Sequence, residues 1–197
     1  DALGIDRQVW DQVLHTQSRW RLAGEERDPF RILRRLADLV DPDISDERIH
    51  ETAALRLRRF RGALESIPLE NIDALRELRA RGFRLGLVSN ADASELLGWR
   101  ECALCGLFDV EIFSCEVGAV KPEPAIFQAC LDRLGLRAED CFYVGDGGSD
   151  ELVAAKALGF RTVFISGVIA ELWPERIPER LVLADHQIGS LPDILTI

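Results

Sequence analysis

The chain lacks the features that mark secreted, membrane-spanning or nucleic-acid-binding proteins. No apolar run approaches the roughly 18 residues that would span a membrane. Acidic residues outnumber basic ones by 34 to 24, and the net charge of −10 argues against a general role in nucleic-acid binding. An odd number of scattered cysteines argues against a disulfide framework and for a reducing compartment. We therefore expect a cytoplasmic protein with neither a membrane nor a nucleic-acid partner.

Methionine is absent from all 197 residues. The first residues, Asp1-Ala2-Leu3-Gly4, carry neither the basic region nor the apolar core of a signal peptide. Because an intact gene product normally begins with methionine, we expect further residues before Asp1 in the natural protein.

The five cysteines offer one close pair, Cys102-x-x-Cys105. A zinc site would need a second pair or histidines at suitable spacing, and neither is present. A structural or incidental role is therefore expected for this pair.

Residues 1–66 predict a small helical bundle without strands. Apolar residues such as Ile5, Val9 and Val13 recur at helical spacing, and Pro29 suits the first turn of a second helix. The segment is rich in arginine with interleaved acids, which is typical of a solvated, ion-paired surface. One or two of these arginines could instead face an anionic substrate.

Residues 67–197 predict strands that alternate with helices. Strands are expected at residues 83–88, 110–113, 141–144, 161–165 and, at the edge, 181–184. Helices are expected at residues 69–81, 93–104, 121–134 and 152–158, with a helical turn at 191–197. Such alternation favours a Rossmann-like α/β domain with a parallel sheet covered by helices on both faces.

Polar residues follow three of the predicted strands. Ser89-Asn90 follows the first, Lys121 follows the second, and Asp146 and Asp150 follow the third. The carboxyl ends of parallel strands lie at one edge of a sheet, where ligands bind in open α/β folds. A hydroxyl and a lysine suit a phosphate group, and two carboxylates suit Mg²⁺. The alternative for the Asp146 stretch is a polar turn capped by an aspartate.

Three stretches resemble motifs II, III and IV of the haloacid dehalogenase-like (HAD) hydrolase superfamily. They are Leu87-Val88-Ser89-Asn90, Val120-Lys121-Pro122-Glu123-Pro124 and Gly145-Asp146-Gly147-Gly148-Ser149-Asp150. The match is in order and covers residues 67–197. The helical segment 1–66 is similar to the cap that subfamily I members insert after motif I. The resemblance implies a 1–66 cap domain and a 67–197 core domain.

The resemblance also implies a reaction and a set of roles. In the family, Mg²⁺ and a lysine neutralise a phosphate while an aspartate attacks phosphorus and forms an aspartyl phosphate. Carried over, Ser89 and Lys121 are the catalytic side chains, and Asn90 positions the phosphate with them. Asp146 is the direct metal ligand, with Asp150 as a second ligand or a support through water.

Motif I, an Asp-x-Asp at the end of the family's first strand, is not found in this chain. Asp41-Pro42-Asp43 fails because it follows a helix and contains a proline. The family's first strand is central, between the strands that end at Val88 and Val144, so the sheet is expected to lack its middle strand. We expect the 197 residues to be part of a longer protein, and inactive without the nucleophile.

The resulting prediction is a Mg²⁺-dependent phosphatase acting, in its intact form, on a small phosphorylated metabolite. The alternatives are a non-catalytic HAD-like binding or regulatory protein, a phosphomutase, and a 2-haloacid dehalogenase. The dehalogenase is disfavoured because the family's dehalogenases need no metal and do not resemble the acidic Asp146 stretch. The specific substrate and the oligomeric state stay open.

Overall fold

A computed structural model describes residues 2–197 as two compact units. The first, here called the helical unit, comprises residues 2–66, Ser89–Cys105 and Phe113–Val120. The second, the sheet unit, comprises Ile67–Val88, Gly106–Ile112 and Lys121–Ile197. The helical unit thus contains the predicted cap segment together with two segments from further along the chain. The domain boundary at residue 66 stays a prediction.

The described residues form ten α-helices and five strands, joined by turns and short 3₁₀ segments. The helices are α1 (Arg7–Thr16), α2 (Ser18–Leu22), α3 (Pro29–Ala37), α4 (Asp46–Glu65), α5 (Leu69–Ala80), α6 (Ser114–Val117), α7 (Pro124–Leu134), α8 (Glu151–Ala157), α9 (Gly167–Leu172) and α10 (Ile177–Leu181). The strands are β1 (Gly86–Ser89), β2 (Val110–Phe113), β3 (Phe142–Gly145), β4 (Arg161–Ile165) and β5 (His186–Ile188). None of these helices combines the length and apolar content needed to cross a membrane.

Local sequence signals set the beginnings of the first helices. The Asp6 carboxylate accepts hydrogen bonds from the backbone N–H groups of Gln8 and Val9, at 2.9 and 3.2 Å, and so caps α1. Asp28 caps α3 in the same way, and Pro29 occupies the first turn, where its missing N–H costs nothing. Residues of α3 and α4, together with residues outside the helices, form an apolar core: Leu3, Ile5, Leu33, Ala37, Ile44, Ile49 and Ala53.

The sheet unit confirms the predicted α/β class. Strands β3, β4 and β5 pair in that order and run parallel, with Phe142 opposite Arg161 and Val163 opposite His186. Helix α8 connects β3 to β4, as a parallel crossover requires. Leu152, Phe164 and Ile169 form a fully buried cluster between these elements.

The described strands form two separate sheets, because β1 pairs with β2 and not with β3. Val163 at the centre of β4 is fully buried, whereas Val88 of β1 and Val144 of β3 are only half-buried. Within residues 2–197, β1 and β3 are therefore both edge strands. A further strand between them in the natural protein stays a prediction.

Two predicted elements were wrong. Residues 93–104 form turns and a 3₁₀ segment at Trp99–Glu101 instead of a helix, and Gly98 has φ of 96°, outside helical conformation. Residues 181–184 continue from the end of α10, and the last strand lies at His186–Ile188. A run of four apolar residues does not by itself distinguish a strand from a helix end.

Candidate active site

Two loops carry most of the residues that the sequence singles out. The Ser89 loop, residues 89–95, belongs to the helical unit, and the Asp146 loop, residues 145–151, belongs to the sheet unit. Lys121, the remaining candidate, also belongs to the sheet unit.

A buried serine fixes the backbone that follows Ser89 and Asn90. Ser89 is the last residue of β1, and both residues are half-buried. The next backbone N–H, of Ala91, donates to Ser114 Oγ at 3.0 Å, and Ser114 Oγ donates back to the Ala91 carbonyl at 3.2 Å. Ser114 is itself fully buried. This two-way contact holds the chain directly after the proposed phosphate-binding residues.

A cluster of four charged side chains supports the same loop and is here called the Asp92 cluster: Arg21, Arg56, Asp92 and Glu95. Asp92 is fully buried, and its Oδ2 accepts hydrogen bonds from Arg21 Nη1 at 2.8 Å and Arg56 Nη2 at 2.5 Å. Its Oδ1 accepts from the Ser94 backbone N–H at 2.9 Å. Helices α2 and α4 thus hold the Ser89 loop through these two guanidinium groups. Sequence reasoning did not reveal that these arginines bind a carboxylate of the chain itself.

Glu95 is the titratable member of the Asp92 cluster. Its Oε1 lies 3.4 Å from Arg56 Nη2 and 3.9 Å from Arg21 Nη1. The pKa of Glu95 is raised from 4.5 to about 7, first by burial and then by the nearby charge of Asp92, while Arg56 and Arg21 oppose the rise. Glu95 therefore exchanges its proton near neutral pH, unlike an ordinary surface glutamate.

Because of this raised pKa, the free energy of unfolding should depend on pH in the wild type, and Glu95→Gln should remove that part of the dependence. Because folding raises the pKa, the contribution of Glu95 to stability is fully present below pH 4.5 and is lost as the pH rises to about 7. The wild-type free energy of unfolding should therefore fall relative to that of Glu95→Gln across this window. Urea unfolding of both proteins at several pH values measures the difference. If the unfolding free energies of wild type and Glu95→Gln changed with pH in parallel, the raised pKa of Glu95 would be contradicted. Glu101→Gln, at an exposed glutamate, is the control and should follow the wild type.

The Asp146 loop is held by a buried arginine. Arg180 Nη1 donates to the Asp146 carbonyl at 2.6 Å, and Asp146 Oδ1 accepts from the Gly148 backbone N–H at 2.8 Å. Gly147 has φ of 80°, and a Cβ there would press against the Arg180 side chain. The aspartate at the tip of β3 is thus fixed through both its backbone and its carboxylate.

Glu151 joins Lys121 to the Asp146 loop. Its Oε2 accepts from Lys121 Nζ at 2.5 Å and from the Tyr143 hydroxyl at 2.8 Å, and its Oε1 accepts from the Gly147 N–H at 3.3 Å. Glu151 is only 4% exposed. Burial, with the neighbouring Glu151 charge, raises the pKa of Tyr143, so its hydroxyl stays a proton donor. The structure thus brings Lys121 and Asp146 into one hydrogen-bonded arrangement.

Glycine at position 145 allows this arrangement. A Cβ on Gly145 would overlap the Glu151 carboxylate. Sequence reasoning did not identify Glu151, although a third acid directly after Asp150 was the available signal. It also missed Arg180, which lies 34 residues from Asp146.

The donor set of the Asp146 loop fits Mg²⁺. Within residues 2–197, no group of three or more histidine, cysteine, aspartate or glutamate side chains is placed to hold a metal. Mg²⁺ generally takes only one or two carboxylates and completes its shell with water and phosphate, so Asp146, with or without the exposed Asp150, is suited to it by residue type. Ser149 and Asp150 adopt φ of 53° and 50°, an uncommon conformation that is concentrated at functional sites.

Three of the five cysteines lie in surroundings that disfavour the reactive thiolate. All five are free thiols, with Cys102 buried and Cys105 exposed. Burial raises the pKa of Cys130 to about 11 and also raises the pKa values of Cys115 and Cys141. These three thiols are protonated at neutral pH and are poor nucleophiles.

Comparison with known proteins decides the family. The model of the haloacid dehalogenase-like hydrolases matches residues 6–159. The chain belongs to this family. Among curated relatives, glyceraldehyde 3-phosphate phosphatase from Methanocaldococcus jannaschii is 30% identical over 156 residues, which cover 77% of this chain and 65% of that protein. The chain therefore spans less than two thirds of that relative.

Solved structures of HAD proteins share the fold. A HAD phosphatase from Thermococcus onnurineus superposes with a TM-score of 0.58 at 26% identity, covering 96% of this chain and 86% of that one. A HAD family enzyme from Bacteroides thetaiotaomicron was solved in complex with magnesium and inorganic phosphate. It superposes with a TM-score of 0.57 at 19% identity, covering 82% of this chain and 87% of that one. At this lower identity, the second likeness shows the fold alone.

Proposed function

We propose that the protein hydrolyses a small phosphate monoester with the help of Mg²⁺. The observation that carries the proposal is the arrangement of Lys121, Glu151 and the Asp146 loop, in which a lysine and an acidic loop are joined by one buried carboxylate. A cation beside carboxylates suits the combined binding of a phosphate and a metal. The name of the Methanocaldococcus relative, a phosphatase, supports the reaction class.

Ser89, Asn90 and Lys121 are proposed to bind the phosphate. A hydroxyl and an amide would donate to phosphate oxygens, and the ammonium group would neutralise part of their charge. Glu151 is proposed as a positioning residue, because it fixes Lys121 Nζ by a 2.5 Å contact while being almost fully buried itself. The attacking carboxylate would come from the family's first motif.

Asp146 and Asp150 are proposed to hold Mg²⁺. When bound, the metal would supply positive charge to the phosphoryl group. The chain's own part is to keep Asp146 in place, through Arg180 on its carbonyl and Gly148 N–H on its carboxylate. The Bacteroides enzyme was solved with magnesium and inorganic phosphate bound, and this property of a protein with the same fold supports the choice of metal.

Lys121→Ala should weaken the binding of inorganic phosphate by about 10-fold or more, because a charge-assisted hydrogen bond contributes roughly 1.5–3 kcal/mol. Calorimetric titration of phosphate in the presence of Mg²⁺ measures this change. Glu151→Gln should weaken phosphate binding less than Lys121→Ala does, because Lys121 keeps its charge and loses only the carboxylate that holds it in place.

Lys156→Ala is the matched control. Lys156 lies on the same unit and pairs with Asp185 at 2.7 Å, but it is half-exposed. Its replacement should leave phosphate binding unchanged. Equal effects of the two lysine variants, or tight phosphate binding by Lys121→Ala, would refute the role of Lys121.

A further inference from the structure

A tight turn follows directly after the proposed phosphate-binding residues Ser89 and Asn90. Within it, Asp92 Oδ1 accepts from the Ser94 N–H at 2.9 Å, and the Asp92 carbonyl accepts from the Glu95 N–H at 3.0 Å. Asp92 is fully buried and only two residues from Asn90. A change in how Asp92 is held should therefore shift the backbone that presents Ser89 and Asn90.

Asp92 and Glu95 share the same two arginines. Asp92 Oδ2 accepts from Arg21 Nη1 at 2.8 Å and from Arg56 Nη2 at 2.5 Å. The Glu95 carboxylate lies farther away, with its Oε1 at 3.4 Å from the same Arg56 nitrogen and 3.9 Å from the same Arg21 nitrogen. Each of these two nitrogen atoms thus faces both carboxylates, and a closer approach to one competes with the bond to the other.

The outcome of this competition depends on the charge of Glu95. The charged groups that act on it are Asp92 on its own loop, Arg21 on α2 and Arg56 on α4, and burial is the main cause that raises its pKa to about 7. When Glu95 is protonated, both guanidinium groups bind Asp92 as their one carboxylate. When Glu95 is ionised, it attracts the same nitrogen atoms, repels Asp92 and adds a negative charge to the Ser89 loop. Each of these effects weakens either the hold on Asp92 or the attraction for an anion.

We propose that Asp92 and Glu95 act as opposing positioning residues for the proposed phosphate site. Asp92 keeps the Ser89 loop in the conformation that binds a tetrahedral dianion, and ionised Glu95 loosens the loop by competing for the two arginines. The inference rests on the proposed function, because it takes Ser89 and Asn90 to bind phosphate. A small displacement of such binding groups is costly, because binding depends on their geometry. The affinity for a phosphate-like dianion should therefore fall as Glu95 loses its proton.

Sulfate is the probe, because it is a tetrahedral dianion that does not titrate near neutral pH, as phosphate does. Titration calorimetry of the natural full-length protein with Mg²⁺ gives the sulfate affinity at about pH 5.5 and about pH 8.5, on either side of the Glu95 pKa. Glu95→Gln should bind sulfate as wild type does at the lower pH. At the higher pH it should bind about 5-fold more tightly than wild type, the lower end of typical couplings between sites. The ratio of the two affinities isolates Glu95, because every other group titrates in both proteins.

This readout separates positioning from a purely structural role. A structural role of Glu95 would change the free energy of unfolding and leave the sulfate affinity of the folded protein unchanged. A gain in affinity at the higher pH also cannot result from misfolding of the variant. Glu101→Gln is the matched control, because Glu101 is an exposed acid of the helical unit that faces Arg61 at 3.7 Å. It should bind sulfate like wild type at both pH values.

Arg56→Lys tests the hold on Asp92 from the other side. It should weaken sulfate binding several-fold at both pH values, because a lysine ammonium lacks the planar guanidinium group and its reach. Arg58→Lys, at an exposed neighbour on α4, should bind like wild type. The thermal midpoint of each variant checks that it is folded.

The proposal is overturned if Glu95→Gln and wild type have equal sulfate affinities at both pH values, or if Arg56→Lys binds sulfate like wild type. If Lys121→Ala still loses sulfate binding in that case, the proposed phosphate site stands and only the positioning roles fail. Absence of sulfate binding to wild type at both pH values would contradict the proposed phosphate site itself, and the positioning roles with it.

Discussion

Asp146→Asn should reduce Mg²⁺-dependent phosphate release by at least about 100-fold in the natural full-length protein. Replacing groups that only support a metal ligand costs roughly 10–100-fold in metal affinity or activity, and Asp146 is proposed as a ligand itself. Asparagine keeps the shape and an oxygen that can accept from the Gly148 N–H, a contact of 2.8 Å in the wild type. The loop should therefore keep its fold while losing the charge.

Measuring kcat/KM over a series of Mg²⁺ concentrations separates metal binding from other effects. If weakened Mg²⁺ binding is the main defect, high Mg²⁺ should partly restore the activity of Asp146→Asn. Asp140→Asn is the control, since Asp140 precedes β3, is exposed and pairs with Arg137. Near-normal activity of Asp146→Asn at low Mg²⁺ would refute the metal role of Asp146.

Asp92→Ala should lower the free energy of unfolding by about 3–5 kcal/mol, the usual cost of removing one partner from a buried ion pair. The reason is the environment of Arg21 and Arg56, whose side chains are only 12% and 18% exposed. Without Asp92, the poorly hydrated guanidinium groups of Arg21 and Arg56 would have only the Glu95 carboxylate between them as a partner. Urea denaturation, followed by the fluorescence of the chain's tryptophans, measures the loss.

Asp11→Ala provides the comparison for Asp92→Ala. Asp11 also pairs with an arginine in the helical unit, Arg7, at 3.7 Å, but both side chains are well exposed. Exposed pairs contribute at most about 1 kcal/mol, so this variant should stay close to wild type. A loss for Asp92→Ala no larger than that for Asp11→Ala would mean that the Asp92 cluster does not stabilise the helical unit.

The sequence predicted the features that depend on short stretches of chain. The apolar run before Gly145 and the glycines after it predicted β3 and its loop, and both are present. Pro29 and Ser45 likewise marked the starts of α3 and α4, because the signals that begin a helix act within its first turn. The family could be predicted as well, because its motifs are short and occur in order.

The supports of the candidate site could not be predicted in this way. Arg21 and Arg56 reach Asp92 across 71 and 36 residues, and nothing local distinguishes them from the other arginines of α2 and α4. Arg180 is a similar case, because it bonds the Asp146 carbonyl from 34 residues away. It lies in α10, which ends at Leu181, whereas the apolar Leu181–Ala184 run had suggested a strand. Only tertiary packing selects these pairings.

The measurement that tests the proposed function most directly is the release of inorganic phosphate from a panel of small phosphate monoesters by the natural full-length protein. We predict saturable release from at least one ester with Mg²⁺, and its loss when EDTA removes the metal. In parallel, halide release from 2-chloropropionate should be absent. Halide release, or a folded protein that binds phosphate and Mg²⁺ but hydrolyses no ester, would contradict the proposed function and favour the dehalogenase or the non-catalytic alternative.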